Sequence, residues 1–191
     1  MTANKGIDAE LIERVKKGDT QAFRQLINRH KDVSLSLACS ILKDKATAED
    51  VLQEAFMKVY HKAGSFKQQS AFSSWLYRIV INTAYNELKR NKNYLELGEI
   101  NLNESGTNEE TAIQNLKEED QKRYVILALE KLKPDEALVL RLFYLCDMSL
   151  KEVADITDFS SSKIKVDLHR GRKNMEIVLT DLLGNQLKDL L

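Results

Sequence analysis

Apolar residues recur at helical spacing over long stretches of this chain, and this periodicity constrains the fold more than any other feature. Between Ala48 and Ala63 they form an unbroken i, i+3, i+4 stripe, and a second stripe runs from Phe72 to Leu88. One proline and seven glycines among 191 residues leave such stretches uninterrupted. The sequence therefore predicts an all-α protein, and its 43% hydrophobic residues suffice for two small cores.

A polar, acidic segment divides the chain into two units. Residues 93–120 hold eight acidic side chains, one lysine and few bulky residues, whereas residues 1–92 hold 16 basic and 10 acidic side chains. A segment of that composition does not bury enough surface to order itself. We predict an acidic flexible linker at 93–120 between two small helical domains, 1–92 and 121–191. The linker either lies in a basic channel of a partner or is a solvated tether.

Capping signals predict where helices begin and end in the first unit. Gly18 closes an opening helix that starts near Ala9, and Asp19 caps the next helix. A third helical stretch covers 33–42. Thr47 with Asp50 resembles a capping box for the stripe that Gly64 ends.

The second unit shows the pattern of a helix-turn-helix. Helices are predicted at 124–132 and 134–145, with Pro134 in a first turn. Ser149 with Glu152 is a capping box that opens a short helix, 150–156. A tight turn at 157–159 follows, and Ser160 can cap a basic helix that runs to about Met175. This order of elements indicates DNA binding.

The last predicted helix has one apolar and one basic face. A helical wheel places Ile164, Leu168 and Gly171 inward, and it places outward a set that could meet DNA, namely Ser162, Val166, His169, Arg170 and Lys173, flanked by Lys163, Lys165 and Arg172. A solvated basic helix is the alternative interpretation.

The loop 65–73 and the residues after it mix basic, amide and aromatic groups, which could grip single-stranded bases. Core packing is nevertheless favoured for Trp75, because it lies on the apolar stripe. From pattern alone, the polar face of the helix predicted between Ala48 and Ala63 is an ordinary solvent-exposed surface. The sequence shows no catalytic, metal-binding or cofactor-binding motif.

Cys39 and Cys146 are predicted to be buried free thiols in a reducing cytoplasm, because neither has a cysteine or histidine nearby in the sequence. The sequence shows neither a signal pattern nor an apolar run near the roughly 18 residues that cross a bilayer. We therefore expect a soluble cytoplasmic chain without membrane contact of its own.

Two segments resemble a known family. AEDVLQEAFMKVY (48–60) followed by FSSWLYRIVINTAYNELKR (72–90) resembles conserved region 2 of the extracytoplasmic-function (ECF) sigma factors, members of the sigma-70 family. Residues 129–175, LEKLKPDEALVLRLFYLCDMSLKEVADITDFSSSKIKVDLHRGRKNM, resemble region 4 of that family. The segments come in the family's order, with a linker between them.

The resemblance implies a non-catalytic subunit that joins core RNA polymerase, directs it to promoters and helps to melt the DNA. It implies docking on the clamp of the largest polymerase subunit through Asp50, Gln53, Glu54 and Met57, and a further contact with the flap. Capture of the minus-10 strand would fall to Lys67, Gln68, Gln69, Ser70, Arg78 and Asn82. Reading of the minus-35 element would fall to Ser161, Ser162, Lys163, Lys165, Val166, His169, Arg170 and Lys173. The expected partners are core RNA polymerase, promoter DNA and an anti-sigma factor.

Several positions depart from the family pattern. Asp158 stands where glycine is common in the turn, Asp167 where a basic residue is frequent, and Asn86 where aspartate is usual. Ser162 and Lys163 replace a usual Gly-Thr pair. Two other classes remain open from the residues alone: a free-standing helix-turn-helix regulator, which predicts tight binding to palindromes, and a helical adaptor that binds only proteins.

Overall fold

The computed structural model describes the backbone of residues 2–97 and 118–184, and the side chains within 6–91 and 121–184. All regular elements in these two ranges are helical, as predicted. The N-terminal unit consists of α1 (Thr2–Lys16), α2 (Thr20–Leu42), α3 (Lys45–Lys62), a 3₁₀ turn (Ala63–Ser65) and α4 (Phe72–Leu97). The C-terminal unit consists of α5 (Glu118–Lys131), α6 (Pro134–Leu140) with a π-helical turn (Arg141–Leu145), α7 (Leu150–Thr157) and α8 (Ser161–Leu183).

Local capping confirms several predicted helix boundaries. Gly18 adopts a positive φ of 90° after α1, and the Asp19 carboxylate accepts a hydrogen bond from the Ala22 amide at 3.0 Å. Ser149 and Glu152 form the predicted reciprocal capping box at the start of α7. The Ser160 hydroxyl accepts from the Lys163 amide at 3.2 Å. These side chains satisfy amides that the first turn of a helix leaves unpaired.

Other predicted boundaries were wrong. Asp44 caps α3, accepting from the Thr47 amide at 2.8 Å, so Thr47 and Asp50 form no capping box there. The third helical stretch predicted at 33–42 is continuous with the helix before it and forms the second half of α2, because no residue in that stretch breaks the helix. α1 begins earlier than predicted, at Thr2, and α8 continues eight residues beyond Met175 to Leu183.

Helical residues also extend into the predicted linker. α4 continues to Leu97 and α5 begins at Glu118, so the structure describes helix at both ends of the segment 93–120. The linker between these ends, 98–117, lies outside the described residues. In the part of the chain that is described, no helix combines the length and apolarity needed to span a membrane.

The core is continuous between the two units. In the N-terminal unit α2 packs against α1, α3 and α4, and in the C-terminal unit α8 packs against α5, α6 and α7. The units also meet each other, because α2 contacts α5 and α6 while α4 contacts α7. Buried apolar side chains of both units form one cluster, which includes Leu26, Leu37 and Ile81 on one side and Leu138 and Leu142 on the other.

Candidate polymerase and nucleic-acid interfaces

The polar face of α3 is exposed. Val51, Leu52 and Ala55 lie on the apolar stripe of this helix and are buried. The opposite side carries the predicted polymerase-docking residues, all of which are exposed: Asp50, Gln53, Glu54 and Met57. Met57 is 58% exposed and is one of several large apolar side chains that the described residues leave exposed. An exposed apolar side chain beside carboxylates and an amide is chemically suited to a protein partner.

One member of this face is restrained within the unit. Lys58 Nζ lies 2.6 Å from Glu54 Oε1 and also donates to Thr83 Oγ1 of α4 at 3.2 Å. Glu54 is thereby held in a defined position on the α3 surface. Asp50 lies one turn before Glu54, and Gln53 immediately precedes it; both are exposed.

The loop between α3 and α4 is anchored at its ends and exposed in its middle. Phe66 and Phe72 are buried, and the Phe66 ring lies 4.9 Å from the ring of Trp75, which confirms that Trp75 packs on the core. Between these anchors the four predicted minus-10 residues of the loop are exposed: Lys67, Gln68, Gln69 and Ser70.

Gln68 has a left-handed backbone conformation with φ of 54°, which few non-glycine residues adopt. Its Nε2 donates to Glu13 Oε1 of α1 at 2.6 Å. Glu13 also accepts from Lys16 at 2.8 Å, and these hydrogen bonds hold the pKa of its carboxyl below the ordinary value. The contact with α1 was not foreseen from the sequence, since no pattern links residues 55 positions apart.

Arg78 and Asn82 are both exposed and lie one turn apart on α4, on the same face. Asn82 and the loop residues 67–70 are therefore exposed at the same time. The Arg78 guanidinium instead donates through Nη2 to the backbone carbonyl of Asp155 in α7. The C-terminal unit thus engages one residue of the predicted minus-10 set.

α7, the turn and α8 form the predicted helix-turn-helix. Asp158 adopts a left-handed conformation with φ of 58° and ends α7 by donating its amide to the Ala154 carbonyl at 2.9 Å. The turn therefore uses aspartate where glycine is common, as the sequence suggested. Ile164, Leu168 and Gly171 of α8 are buried, as the wheel predicted.

Seven of the eight predicted minus-35 residues are exposed on α8: Ser161, Ser162, Lys165, Val166, His169, Arg170 and Lys173. Val166 is 44% exposed, so an apolar surface lies within the basic face. This face combines phosphate-binding cations, hydroxyls and a methyl-bearing side chain, which are the groups that contact a DNA backbone and base edges.

Lys163, the eighth residue of the predicted minus-35 set, is only partly exposed and pairs with two carboxylates. Its Nζ lies 2.7 Å from Asp135 Oδ2 of α6 and 2.7 Å from Asp167 Oδ2, and it stacks 4.4 Å above the Phe159 ring. Partial burial opposes its charge, but the two carboxylates outweigh that effect and raise the pKa of Lys163 above its ordinary value. Asp167, which departs from the family pattern, therefore serves to bind Lys163.

An apolar groove lies on another side of the C-terminal unit. It has a volume of about 250 Å³ between α5, the π-helical turn and α8, and it is lined by Val125, Leu129, Leu140, Tyr144, Leu145, Arg172 and Met175. Within the described residues, no cluster of His, Cys, Asp and Glu that could hold a metal ion is found. Cys39 and Cys146 are free and half-buried, and burial raises the pKa of the Cys146 thiol to about 11.

Each unit matches the model of a known protein family. Residues 26–94 match the family described as Sigma-70 region 2, and residues 122–175 match Sigma-70, region 4. The ECF RNA polymerase sigma factor SigW of Bacillus subtilis (strain 168) is 32% identical over 183 residues, which cover 90% of this chain and 96% of SigW. The chain belongs to the ECF sigma factors of the sigma-70 family.

Other similar proteins are also RNA polymerase sigma factors. The ECF RNA polymerase sigma-E factor of Escherichia coli (strain K12) is 31% identical over 177 residues, covering 88% of this sigma factor and 92% of its relative. The match to the RNA polymerase sigma-H factor of Pseudomonas aeruginosa reaches 47% identity but spans 81 residues, 42% of each chain. As a sigma factor, the protein directs transcription initiation by RNA polymerase, so the interpretations as a free-standing regulator and as an adaptor are set aside.

Two solved structures share the fold of this sigma factor. A structure of CnrH in complex with the cytosolic domain of CnrY has a TM-score of 0.61 and 23% identity, and it covers 92% of this chain and 98% of CnrH. A structure of the sigma factor RpoE in complex with the anti-sigma factor NepR from Bartonella quintana has a TM-score of 0.64 and 22% identity. It covers 83% of this chain and 96% of RpoE.

Proposed function

We propose that the two units of this sigma factor contact different partners during initiation. Residues 1–92 bind core RNA polymerase and recognise and melt the minus-10 element, residues 93–120 act as the linker, and residues 121–191 bind the minus-35 element. The observation that carries this proposal is the separation of two exposed faces of different chemistry. The α3 face is acidic and apolar, whereas the α8 face is basic.

Docking on the polymerase clamp is assigned to Asp50, Gln53, Glu54 and Met57. Their exposure on one side of α3 supports this role, and Met57 supplies the apolar surface that a protein interface buries. A polar rim around such a side chain is typical of interfaces that assemble reversibly.

Capture of the melted minus-10 strand is assigned to Lys67, Gln68, Gln69, Ser70, Arg78 and Asn82. The exposed, doubly anchored loop supports this role, because a loop can form a pocket for an extruded base whereas a helix cannot. Lys67 and Arg78 add the positive charge that follows a nucleic-acid backbone.

Recognition of the minus-35 element is assigned to α8 through Ser161, Ser162, Lys163, Lys165, Val166, His169, Arg170 and Lys173. A recognition helix reads bases from its N-terminal part in the major groove, where Ser161, Ser162 and Val166 lie. Val166 can pack on a thymine methyl group. Lys163 contributes through the position of the helix rather than through direct phosphate contact, because two carboxylates already pair with it.

The remaining assignments follow the family. The protein acts in the cytoplasm without catalytic activity of its own, contacts the clamp and flap of core RNA polymerase, and is held by an anti-sigma factor. The solved complex of RpoE with the anti-sigma factor NepR supports this last assignment by example.

Core binding provides the test of the docking assignment. Purified core RNA polymerase is titrated with the fluorescently labelled protein and with the double variant Asp50→Ala/Gln53→Ala. We expect at least a tenfold weaker affinity, since truncated interface residues near the centre of a contact commonly cost this much. Glu10→Ala, an exposed carboxylate on α1, is the matched control and should bind like the wild type. Equal affinity of the double variant and the wild type would overturn the assignment.

A further inference from the structure

The exposed loop between α3 and α4 is tied to α1 by a hydrogen bond. Gln68, in the middle of the loop, donates through Nε2 to Glu13 Oε1 at 2.6 Å. The segment that matches Sigma-70 region 2 begins at residue 26, whereas α1 ends at Lys16. The contact therefore reaches the loop from a helix that precedes the matched segment, and Glu13 has no part in the function proposed above.

Glu13 has a defined position because α1 is anchored along its length. Ile12 and Val15 of this helix are buried. Nearer its start, the Asp8 carboxylate pairs with His30 Nε2 of α2 at 2.9 Å. The helix also contacts the 3₁₀ turn that leads into the loop. The Glu13 carboxylate is thus presented to the loop from a fixed support.

The backbone of Gln68 restricts its side chain further. Its φ of 54° is a left-handed conformation, which residues other than glycine keep where surrounding contacts offset its cost. The buried rings of Phe66 and Phe72 anchor the two ends of the loop. The hydrogen bond to Glu13 adds a third attachment between these anchors, at the exposed centre of the loop.

The chemistry of Glu13 decides which way the Gln68 amide faces. An ionised carboxylate accepts hydrogen bonds and cannot donate them, so only the NH2 group of the amide can meet it. Hydrogen bonds from Lys16 and Gln68 hold the pKa of the Glu13 carboxyl below its ordinary value, so it is ionised at neutral pH. The carbonyl oxygen Oε1, on the other side of the amide, is therefore directed away from Glu13.

A carbonyl oxygen in this position distinguishes between bases. Extruded bases are read on their Watson–Crick edge, where adenine, cytosine and guanine carry an exocyclic amine that can donate and thymine carries none. We propose that Glu13 is a positioning residue of the minus-10 loop, which directs the Gln68 carbonyl towards the captured strand and thereby selects a base with an exocyclic amine. The inference rests on the proposed assignment of this loop to the minus-10 strand.

Selection from a randomised promoter fork measures this preference. Core RNA polymerase is loaded with the full chain and mixed with duplexes that carry a single-stranded segment of random bases in place of the minus-10 element, and the retained strands are sequenced. We expect the wild type to favour amine-bearing bases over thymine at one position. Glu13→Ala should lower that ratio about 3- to 10-fold, the usual effect of one hydrogen bond, and leave the other positions unchanged. Gln68→Ala should flatten the preference at the same position.

Glu13→Gln distinguishes orientation of the amide from simple support of the loop. Glutamine has both a donor and an acceptor, so it can still bind Gln68 but can meet either end of its amide. Total retention of DNA should stay near that of the wild type, while the preference against thymine falls. The matched control is Glu10→Ala, an exposed carboxylate on the same helix, which should keep the full preference. Urea unfolding checks that all variants are folded.

A double-mutant cycle tests whether Glu13 acts through Gln68. Glu13→Ala should have no further effect in a Gln68→Ala background, because its partner is already absent. The proposal is overturned if Gln68→Ala alters one position and neither Glu13 variant does, if the wild type favours thymine there, or if Glu13→Ala weakens every position equally. If Gln68→Ala alters no position, the assignment of the loop to the minus-10 strand fails, and the inference fails with it.

Discussion

Lys163 shows how a residue of the right type and position can serve a structural purpose. It lies on the predicted recognition helix, but Asp135, Asp167 and the Phe159 ring already surround its ammonium group. The wheel placed it beside the DNA-facing set, and the partners that redirect it could not be seen. Asp135 is 28 positions away, and only the packing of α6 on α8 brings the two together.

Substitution of Lys163 distinguishes a structural role of this side chain from a direct role in DNA binding. Lys163→Met should lower the free energy of unfolding by about 1 kcal/mol or less, because the pair is partly exposed. It should leave the salt dependence of DNA binding nearly unchanged. Lys165→Ala and Lys173→Ala should each reduce the slope of log K against log salt by about 1. Urea titration and duplex binding at several salt concentrations measure both quantities, and a reduced slope for Lys163→Met would contradict this assignment.

Asp8 forms a buried polar cluster that the sequence did not reveal. Its carboxylate accepts from Arg29 Nε and pairs with His30 Nε2, both at 2.9 Å, and His30 Nδ1 lies 3.5 Å from the Tyr77 hydroxyl. Burial opposes ionisation of Asp8, but its bonds and charges with His30 and Arg29 outweigh burial and lower the pKa of the carboxyl. This cluster ties α1 to α2 and α4.

The lowered pKa predicts acid sensitivity. Because Asp8 is more acidic in the folded chain than its ordinary value of 3.8, its contribution to stability is present above about pH 4. That contribution is lost as the pH falls through the folded pKa. Asp8→Asn should be less stable at pH 7, and its difference from the wild type should shrink on acidification. Urea unfolding at pH 7, 5, 4 and 3 measures this, and a constant difference would refute it.

At the scale of elements, the sequence predicted most of the helices and the helix-turn-helix because their signals are local. Asp19, Ser149 and Ser160 cap the helices that follow them, and the apolar stripes of α3 and α4 are buried as expected. Thr47 misled because Asp44, three residues earlier, offers its carboxylate to the Thr47 amide first. The extension of α8 to Leu183 was missed since Met175 was taken as the end of the motif rather than of the helix.

The turn before α8 predicts a position-dependent response to substitution. Asp158 has a left-handed backbone, so Asp158→Val should cost about 1–2 kcal/mol of stability. Asp158→Gly should be neutral or stabilising. Asp155→Val, at an exposed position inside α7, is the matched control and should cost only a few tenths of a kcal/mol. Thermal and urea unfolding compare the variants, and equal losses at both positions would show that the backbone conformation at 158 is unimportant.

At the scale of the whole molecule, the two-unit division followed from composition, whereas the contact between units did not. Tyr85 and Asp135 are 50 residues apart, and Lys43 and Glu130 are 87 apart, so no periodicity or motif connects them. The exposed faces of α3 and α8 were accessible to sequence reasoning because each lies on one amphipathic helix. Their roles in docking and DNA reading remain proposals that the variants above address.

The most direct test of the account is transcription with purified components. Core RNA polymerase is combined with the full chain and genomic DNA from the organism that encodes it, and transcript ends are mapped. We predict initiation at a defined set of promoters with core enzyme plus the protein, and none of it with core enzyme alone. Absence of initiation on every genomic template, together with nanomolar binding of the protein alone to a palindromic duplex, would contradict the account.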